Sequence, residues 1–128
     1  MQPQKVDFVS IPTRDLDRAA TFYGETLGLK RDPLSNSARP EFTAGNVTLS
    51  VVVPEQVGME FTPLPFGAIA IRVQDVADAR AELEQQGITF ERDTLDSGAC
   101  HMAFFRDPDG NGLMLHHRYE PYHDGTTP

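Results

Sequence analysis

The sequence has few residues that could form disulfide bonds and no long apolar segment that could hold it in a membrane. Among its 128 residues there is one cysteine, Cys100, and no tryptophan. A lone cysteine cannot form an intrachain disulfide, which is typical of proteins from a reducing compartment. No apolar run approaches the roughly 20 residues of a membrane-spanning helix, and the opening MQPQKVDF lacks a signal-peptide apolar region. We therefore expect a soluble, cytoplasmic protein.

Basic residues are also scarce. Lysine and arginine total 11 against 19 acidic residues, which gives a formal net charge of −8. A negative field repels phosphate backbones and anionic lipids, so neither nucleic acid nor a membrane is expected as a partner. The chain is nevertheless long enough to bury about two-thirds of its unfolded surface in a core of its own.

Two segments of the chain share one pattern. FVSIPTRDLDRAATFY (8–23) aligns with AIAIRVQDVADARAEL (68–83) at an offset of 60 residues. Each begins with the alternation of a strand and continues with the apolar spacing of a helix. Acidic N-caps and C-terminal glycines are predicted for both helices: Asp15 and Gly28 for the first, Asp75 and Gly87 for the second.

Three extended segments are predicted after each helix. They lie at about 29–33, 40–45 and 47–53 in the first half, and at about 88–94, 99–106 and 112–118 in the second. The predicted element order is β-α-β-β-β, and it occurs twice. This order predicts the α+β fold class and a single domain, 1–128. Its predicted parts are module one (about 5–53), a proline-rich linker (about 54–66), module two (about 67–118) and an irregular tail (119–128).

The stretch FFRDPDGNGLMLHH (104–117) predicts a hairpin. Pro108 and Gly110 suit its turn, and the Asp and Asn side chains there are expected to bond to nearby backbone. Because strand side chains alternate between faces, one apolar set is predicted under the helices: Ala103, Phe105, Leu113 and Leu115. The opposite set is also mostly apolar, which predicts a covered face or a pocket lining: Cys100, Met102, Phe104, Met114 and His116.

These motifs resemble the vicinal oxygen chelate superfamily, also called the glyoxalase, bleomycin-resistance and extradiol-dioxygenase group. DLDRAATFYGETLGL (15–29) is similar to its first-helix signature, IRVQDVADARAELEQQGI (71–88) to the start of its second module, and FFRDPDGNGLMLHH to its closing hairpin. The resemblance implies paired βαβββ modules that form a cleft lined by mixed, curved sheet, with the helices packed outside.

The resemblance also implies where a metal would be held. Metal-dependent members carry His, Gln or Glu on the first and last strand of each module, around a divalent ion that acts as a Lewis acid. Here those positions fall on Phe8, Ser50, Ala68 and Met114. None is a usual ligand, and thioether sulfur is too soft for such an ion. We therefore predict no metal at this site and no other cofactor.

His116 is the candidate for catalysis, because by alternation it shares the inner face with Met114 whereas His117 points the opposite way. It could offer one hydrogen bond in a pocket wall, act as a general acid or base, or be purely structural. His101 is predicted to face the helices as a structural residue. It is the weaker catalytic candidate, because a bulge at Gly98 would reverse its face and allow a His101/His116 metal site. Cys100 is interpreted as a small buried hydrophobe rather than a nucleophile.

Two functions follow from these residues. The favoured one is metal-independent binding or sequestration of an apolar or aromatic small molecule, as in bleomycin-resistance-like members, which are usually dimers; we accordingly expect a homodimer. The alternative is an enzyme, either a lyase or isomerase of the glyoxalase kind or a dioxygenase, with a non-standard metal site or His116 as acid–base. The predicted ligand contacts, in which Arg72 would anchor an anionic group, are Phe8, Ser50, Ala68, Arg72, Met102, Phe104, Met114 and His116.

Overall fold

A computed structural model describes all residues from Met1 to Pro128. The chain divides into two compact units. The first comprises Met1–Leu64 together with Pro108–Asn111, and the second comprises Pro65–Asp107 together with Gly112–Pro128. Each unit holds one helix and one four-stranded mixed sheet, so the predicted α+β class and the repeated βαβββ plan are confirmed.

The sheet of the first unit has the order β1-β4-β3-β2. Strand β1 pairs in parallel with β4, and the other two pairings are antiparallel. The strands are β1 (Val9–Pro12), β2 (Lys30–Arg31), β3 (Glu41–Thr43) and β4 (Thr48–Val52). They occupy the predicted segments but are shorter, as the turns Asp32 to Arg39 and Ala44 to Val47 take up the remaining residues.

Helix α1 (Leu16–Thr21) begins where the sequence predicts. The Asp15 carboxylate accepts a hydrogen bond of 3.0 Å from the Arg18 backbone N–H, which is the expected N-cap. The helix widens into a π-helical turn, Phe22–Thr26, and the backbone turns away at Gly28 with a φ of +71°. The buried residues of this segment join the sheet in one core: Ala19, Phe22 and Tyr23 with Ile11, Phe42, Leu49 and Val51.

The sheet of the second unit repeats this order as β5-β8-β7-β6, again with a parallel first pair, β5 with β8. Its elements are β5 (Ile69–Arg72), α2 (Val76–Gln85), β6 (Leu95–Asp96), β7 (Cys100–Arg106) and β8 (Gly112–Arg118). Asp75 caps α2 by accepting from the Asp78 N–H at 2.8 Å. The prediction of a strand at 88–94 is wrong, because the ladder to β7 begins only at Leu95.

The predicted alternation of the β7–β8 hairpin is confirmed. Ala103 pairs with Leu115 and Phe105 with Leu113, and none of the four is more than 2% exposed. They share the core with Val76 and Leu83 of α2. This side of the sheet is therefore the helix side, and the alternate residues of both strands face away from α2.

The turn Pro108–Asn111 packs within the first unit through two buried side chains. The Asp109 carboxylate accepts hydrogen bonds from the Thr13 hydroxyl, from the Arg14 N–H at 2.9 Å and from Arg18 Nη2 at 2.9 Å. Asn111 donates to Pro12 O at 2.8 Å and accepts from the Leu64 N–H at 2.7 Å. Both side chains thus reach residues far away in sequence, in addition to the nearby backbone bonds that the sequence predicts.

No helix is long and apolar enough to cross a membrane.

We expect Asp109→Ala to lower the free energy of unfolding by about 1–3 kcal/mol, because it leaves buried donors without an acceptor. Urea unfolding should show a lower midpoint with an unchanged m-value. Asp93→Ala, at an exposed position, is the control and should change little. A loss at Asp109 no greater than at Asp93 would contradict the structural role of this carboxylate.

Candidate functional site

The face of the second sheet opposite α2 carries most of the predicted ligand contacts. We call it the open face. The register places Met102 beside His116, Phe104 beside Met114, and Arg72 beside His116 from the other side. Met102, Met114 and His116 are half-buried, whereas Arg72 is exposed. The structure thus brings these five predicted residues together on one surface.

One end of the open face is covered by the segment that leads into β5. The Phe66 ring stacks on Phe104 with centroids 4.4 Å apart, which explains why Phe104 is only 6% exposed. A Cβ at Gly67 would lie 3.1 Å from Met114 Cε, so the backbone passes directly over this side chain. The segment also rests on Gly112, where a Cβ would lie 2.0 Å from Pro65 O. Close packing here requires both glycines.

The C-terminal tail borders the other end. The Arg118 guanidinium donates to Pro121 O at 3.1 Å and lies 4.5 Å from the centre of the Tyr122 ring. Arg72 Nη2 makes only a long contact of 3.5 Å, with Pro128 O. Between the covered end and the tail remain Met102, Met114 and His116. A guanidinium held this weakly keeps most of its donors for another acceptor.

His116 has two methionines, Met102 and Met114, and two arginines, Arg72 and Arg118, as neighbours on this face, and its side chain makes no hydrogen bond in the structure. Partial burial lowers the pKa of His116 below its ordinary value, and the positive charges of Arg72, His117 and Arg118 lower it further. The ring is therefore neutral at pH 7 and offers both a donor and an acceptor nitrogen.

The other predicted contacts are placed differently. Phe8 and Ala68 precede β1 and β5 rather than lying in them, and both are exposed, Phe8 at 47%. Ser50 in β4 is fully buried, and its Oγ has no hydrogen-bond partner. Cys100 is half-buried at the edge of the open face, beside Arg118.

His101 lies on the helix side, as alternation predicts, and no bulge reverses it. Its direct cross-strand partner is His117, not His116. The sequence pattern alone does not connect these two histidines with Asp96 or Tyr119. Tyr119 donates to Asp96 Oδ1 at 2.7 Å, and its ring packs 4.8 Å from the His101 ring. This hydrogen bond raises the pKa of Tyr119 to about 12 and lowers the pKa of Asp96. The pairing of β6 with β7, which sets Asp96 beside His101, and the pairing of β7 with β8 are the information that the sequence lacked.

A family model supplies the decisive comparison. The model for the glyoxalase/bleomycin resistance protein/dioxygenase superfamily matches residues 5–115. The chain belongs to this superfamily. The match covers the first βαβββ unit and most of the second, and it includes the hairpin motif up to Leu115, short of His116 and His117.

Individual proteins that match the chain do so at low sequence identity. The glutathione transferase FosA of Serratia marcescens is 27% identical over 116 residues, which span 88% of this chain and 80% of that protein. A protein of Vibrio parahaemolyticus named "Probable lactoylglutathione lyase" is 28% identical over 112 residues, 79% of this chain and 81% of its own length. A solved superfamily member from Sphaerobacter thermophilus matches with a TM-score of 0.74 at 22% identity, over 88% of this chain and 96% of its own.

The four residues predicted at the superfamily's metal positions do not have the donor atoms that a divalent ion needs. Phe8 and Ala68 carry no donor atom, Met114 offers only a thioether, and Ser50 offers a single hydroxyl. No group of three or more His, Cys, Asp or Glu side chains is arranged to hold a metal ion. No chemical step is therefore assigned to a metal at these positions.

We expect the His116 imidazole to titrate, by NMR, with a midpoint below the roughly 6.5 of an unfolded chain. Arg72→Gln should raise that midpoint by removing a nearby positive charge, whereas Arg92→Gln should not. As the pH falls through the unfolded value, the unfolded chain takes up this proton first. The wild type should therefore lose more stability than His116→Gln between pH 7 and pH 5. A His116 midpoint at or above that of the unfolded chain would contradict this account.

Proposed function

We propose that this superfamily member binds a small apolar or aromatic molecule without a metal ion, on the open face of its second unit. The observation that carries the proposal is the setting of His116: a neutral imidazole without a hydrogen-bond partner, half-buried between Met102 and Met114. Both ring nitrogens are thus available to a ligand, whose apolar body would shield the new hydrogen bond from water.

The neighbouring side chains suggest the shape and charge of the ligand. Methionines adapt to irregular apolar surfaces, so Met102 and Met114 suit an aromatic or branched body. Arg72 lies beside His116 with a weakly engaged guanidinium, which suits a carboxylate or another planar anion. We therefore infer an apolar molecule with one anionic group. Ala68, which precedes β5 in the same unit, remains a predicted contact of this ligand.

The second candidate function is enzymatic, with His116 as a general acid or base. Two observations favour it. A neutral imidazole at pH 7 can accept a proton, and the two named relatives are called a glutathione transferase and a lactoylglutathione lyase. We rank this function second, because the metal positions lack ligands and no second acid or base is seen to contact His116.

The test begins with a thermal-shift screen of aromatic and branched aliphatic carboxylates, each paired with its neutral amide, in the presence of EDTA. A ligand at a hundred times its dissociation constant should stabilise the protein by about 2.7 kcal/mol. The carboxylates should raise the melting temperature more than the corresponding amides do. Compounds that stabilise the protein only in parallel runs with an added divalent ion and no EDTA would contradict metal independence.

For the best compound, His116→Gln should weaken binding by roughly 0.5–1.5 kcal/mol, the net contribution of one hydrogen bond, and Arg72→Gln by about 1.5–3 kcal/mol. His123→Gln, in the exposed tail, and Met59→Ala, at an exposed methionine, are the matched controls. If the wild type consumes the compound and turnover falls by about 10²–10⁴-fold in His116→Gln, the enzymatic function replaces the binding function.

We further propose that the protein is a cytoplasmic homodimer. The dimer is supported by membership of a superfamily in which dimers are common and by large apolar side chains left exposed on the chain, such as Val57 at 65% and Met59 at 64%. The single cysteine supports a reducing compartment.

Light scattering should report twice the 14.2 kDa chain mass at micromolar concentration. Val57→Lys combined with Met59→Lys places charges on the exposed apolar surface and should shift the mass toward that of the monomer. Lys5→Glu, at an exposed polar position, is the control. A wild type that is monomeric over this range would reject the dimer.

A further inference from the structure

The helix side of the second sheet holds a pair of histidines that the proposed function does not use. His101 on β7 and His117 on β8 are direct antiparallel partners, and the Cβ atoms of such pairs lie about 4.5–5.5 Å apart. Both rings line one cavity of about 420 Å³. Its remaining walls are the start of α2 with the residues before it, the Thr94 side chain and the Tyr119 ring.

The contacts of each imidazole ring determine which of its nitrogens is available to bind a cation. His117 Nδ1 lies 2.8 Å from Val73 O. A carbonyl oxygen only accepts, so Nδ1 carries the hydrogen, and Nε2 has no hydrogen-bond partner in the structure. His101 Nε2 lies 3.3 Å from Asp96 Oδ2. A carboxylate likewise only accepts, so the His101 lone pair is on Nδ1. Each imidazole thus has one unused donor atom for a cation.

The Asp96 carboxylate, which contacts His101, is itself held in place by two hydrogen bonds. Asp96 Oδ1 accepts from the Tyr119 hydroxyl at 2.7 Å and from the Gly98 N–H at 2.9 Å, and the Tyr119 ring packs against His101. Histidines that bind metals usually donate their other ring N–H to a carboxylate or a backbone carbonyl, which fixes the tautomer and the ring orientation. His101 has the arrangement with a carboxylate, and His117 has the arrangement with a backbone carbonyl.

We propose that His101 Nδ1 and His117 Nε2 bind a first-row divalent cation, with Cu²⁺ preferred over Ni²⁺ and Zn²⁺. Imidazole nitrogen suits these ions, and Cu²⁺ leads the general affinity order. With two protein ligands, the remaining positions are filled by water or by a small incoming ligand. The site lies on the opposite face from His116 and Met114, so it is distinct from the superfamily's metal positions and independent of the proposed function.

The test is a titration of the untagged protein with Cu²⁺ at pH 7.5, followed by electron paramagnetic resonance. We expect one Cu²⁺ per chain, with hyperfine coupling to two imidazole nitrogens. His101→Gln and His117→Gln should each weaken binding by at least about tenfold and remove one nitrogen from the signal. Asp96→Asn should weaken binding by roughly tenfold while keeping both nitrogens, because it changes only the group that orients His101.

The other two histidines of the chain are matched controls. His116→Gln changes the residue adjacent to His117 on the opposite face, and His123→Gln changes the tail; neither should alter the signal. Circular dichroism of each variant checks folding. If His117→Gln does not fold, His101→Gln carries the test, because the side chain of His101 is 44% exposed. Undiminished Cu²⁺ binding in His101→Gln, or an equal loss in His116→Gln or His123→Gln, would overturn the proposal.

Discussion

The pairing register between β7 and β8 is the constraint on which the second unit depends. Side chains of a strand alternate between faces, so a slip of one residue would move every one of them to the other side of the sheet. In the observed register Phe105 and Leu113 enter the core, while Phe104 and Met114 face away from α2. The turn supports this pairing, since Gly110 takes a φ of +88° and Gly112 leaves room for Pro65 O.

Much of this arrangement is readable in the sequence, because its determinants are local. Asp15 and Asp75 mark both helix starts, and alternation in 103–115 separates the buried from the half-buried residues. What the sequence could not show depends on contacts between distant residues. Asp109 resembles an ordinary turn residue until Thr13 and Arg18 are seen beside it. The segment 88–94 has strand-like composition, yet regular pairing with β7 begins only at Leu95, although the Glu91 N–H already donates to Phe104 O.

The candidate site was predictable in part for the same reason. Alternation alone puts Met102, Met114 and His116 on one face, but only the structure shows that Phe66 covers Phe104 and that the tail reaches Arg72. The two faces of the sheet also differ in chemistry. The open face places one unpaired imidazole among thioethers, whereas the helix side combines two imidazoles with a carboxylate and a phenol. One domain can therefore offer separate environments to an organic anion and to a cation.

His116 and His117 are neighbours in sequence but lie on opposite faces of β8. A shift of β8 along the chain has a consequence for such a pair. If one residue were inserted or deleted between Arg106 and Gly112 while the turn kept its length, β8 would shift by one position, which would exchange the two imidazoles and turn Leu113 and Leu115 out of the core. Under that condition only a change of two residues preserves the faces. Substitution, by contrast, changes either histidine without moving the other to the opposite face.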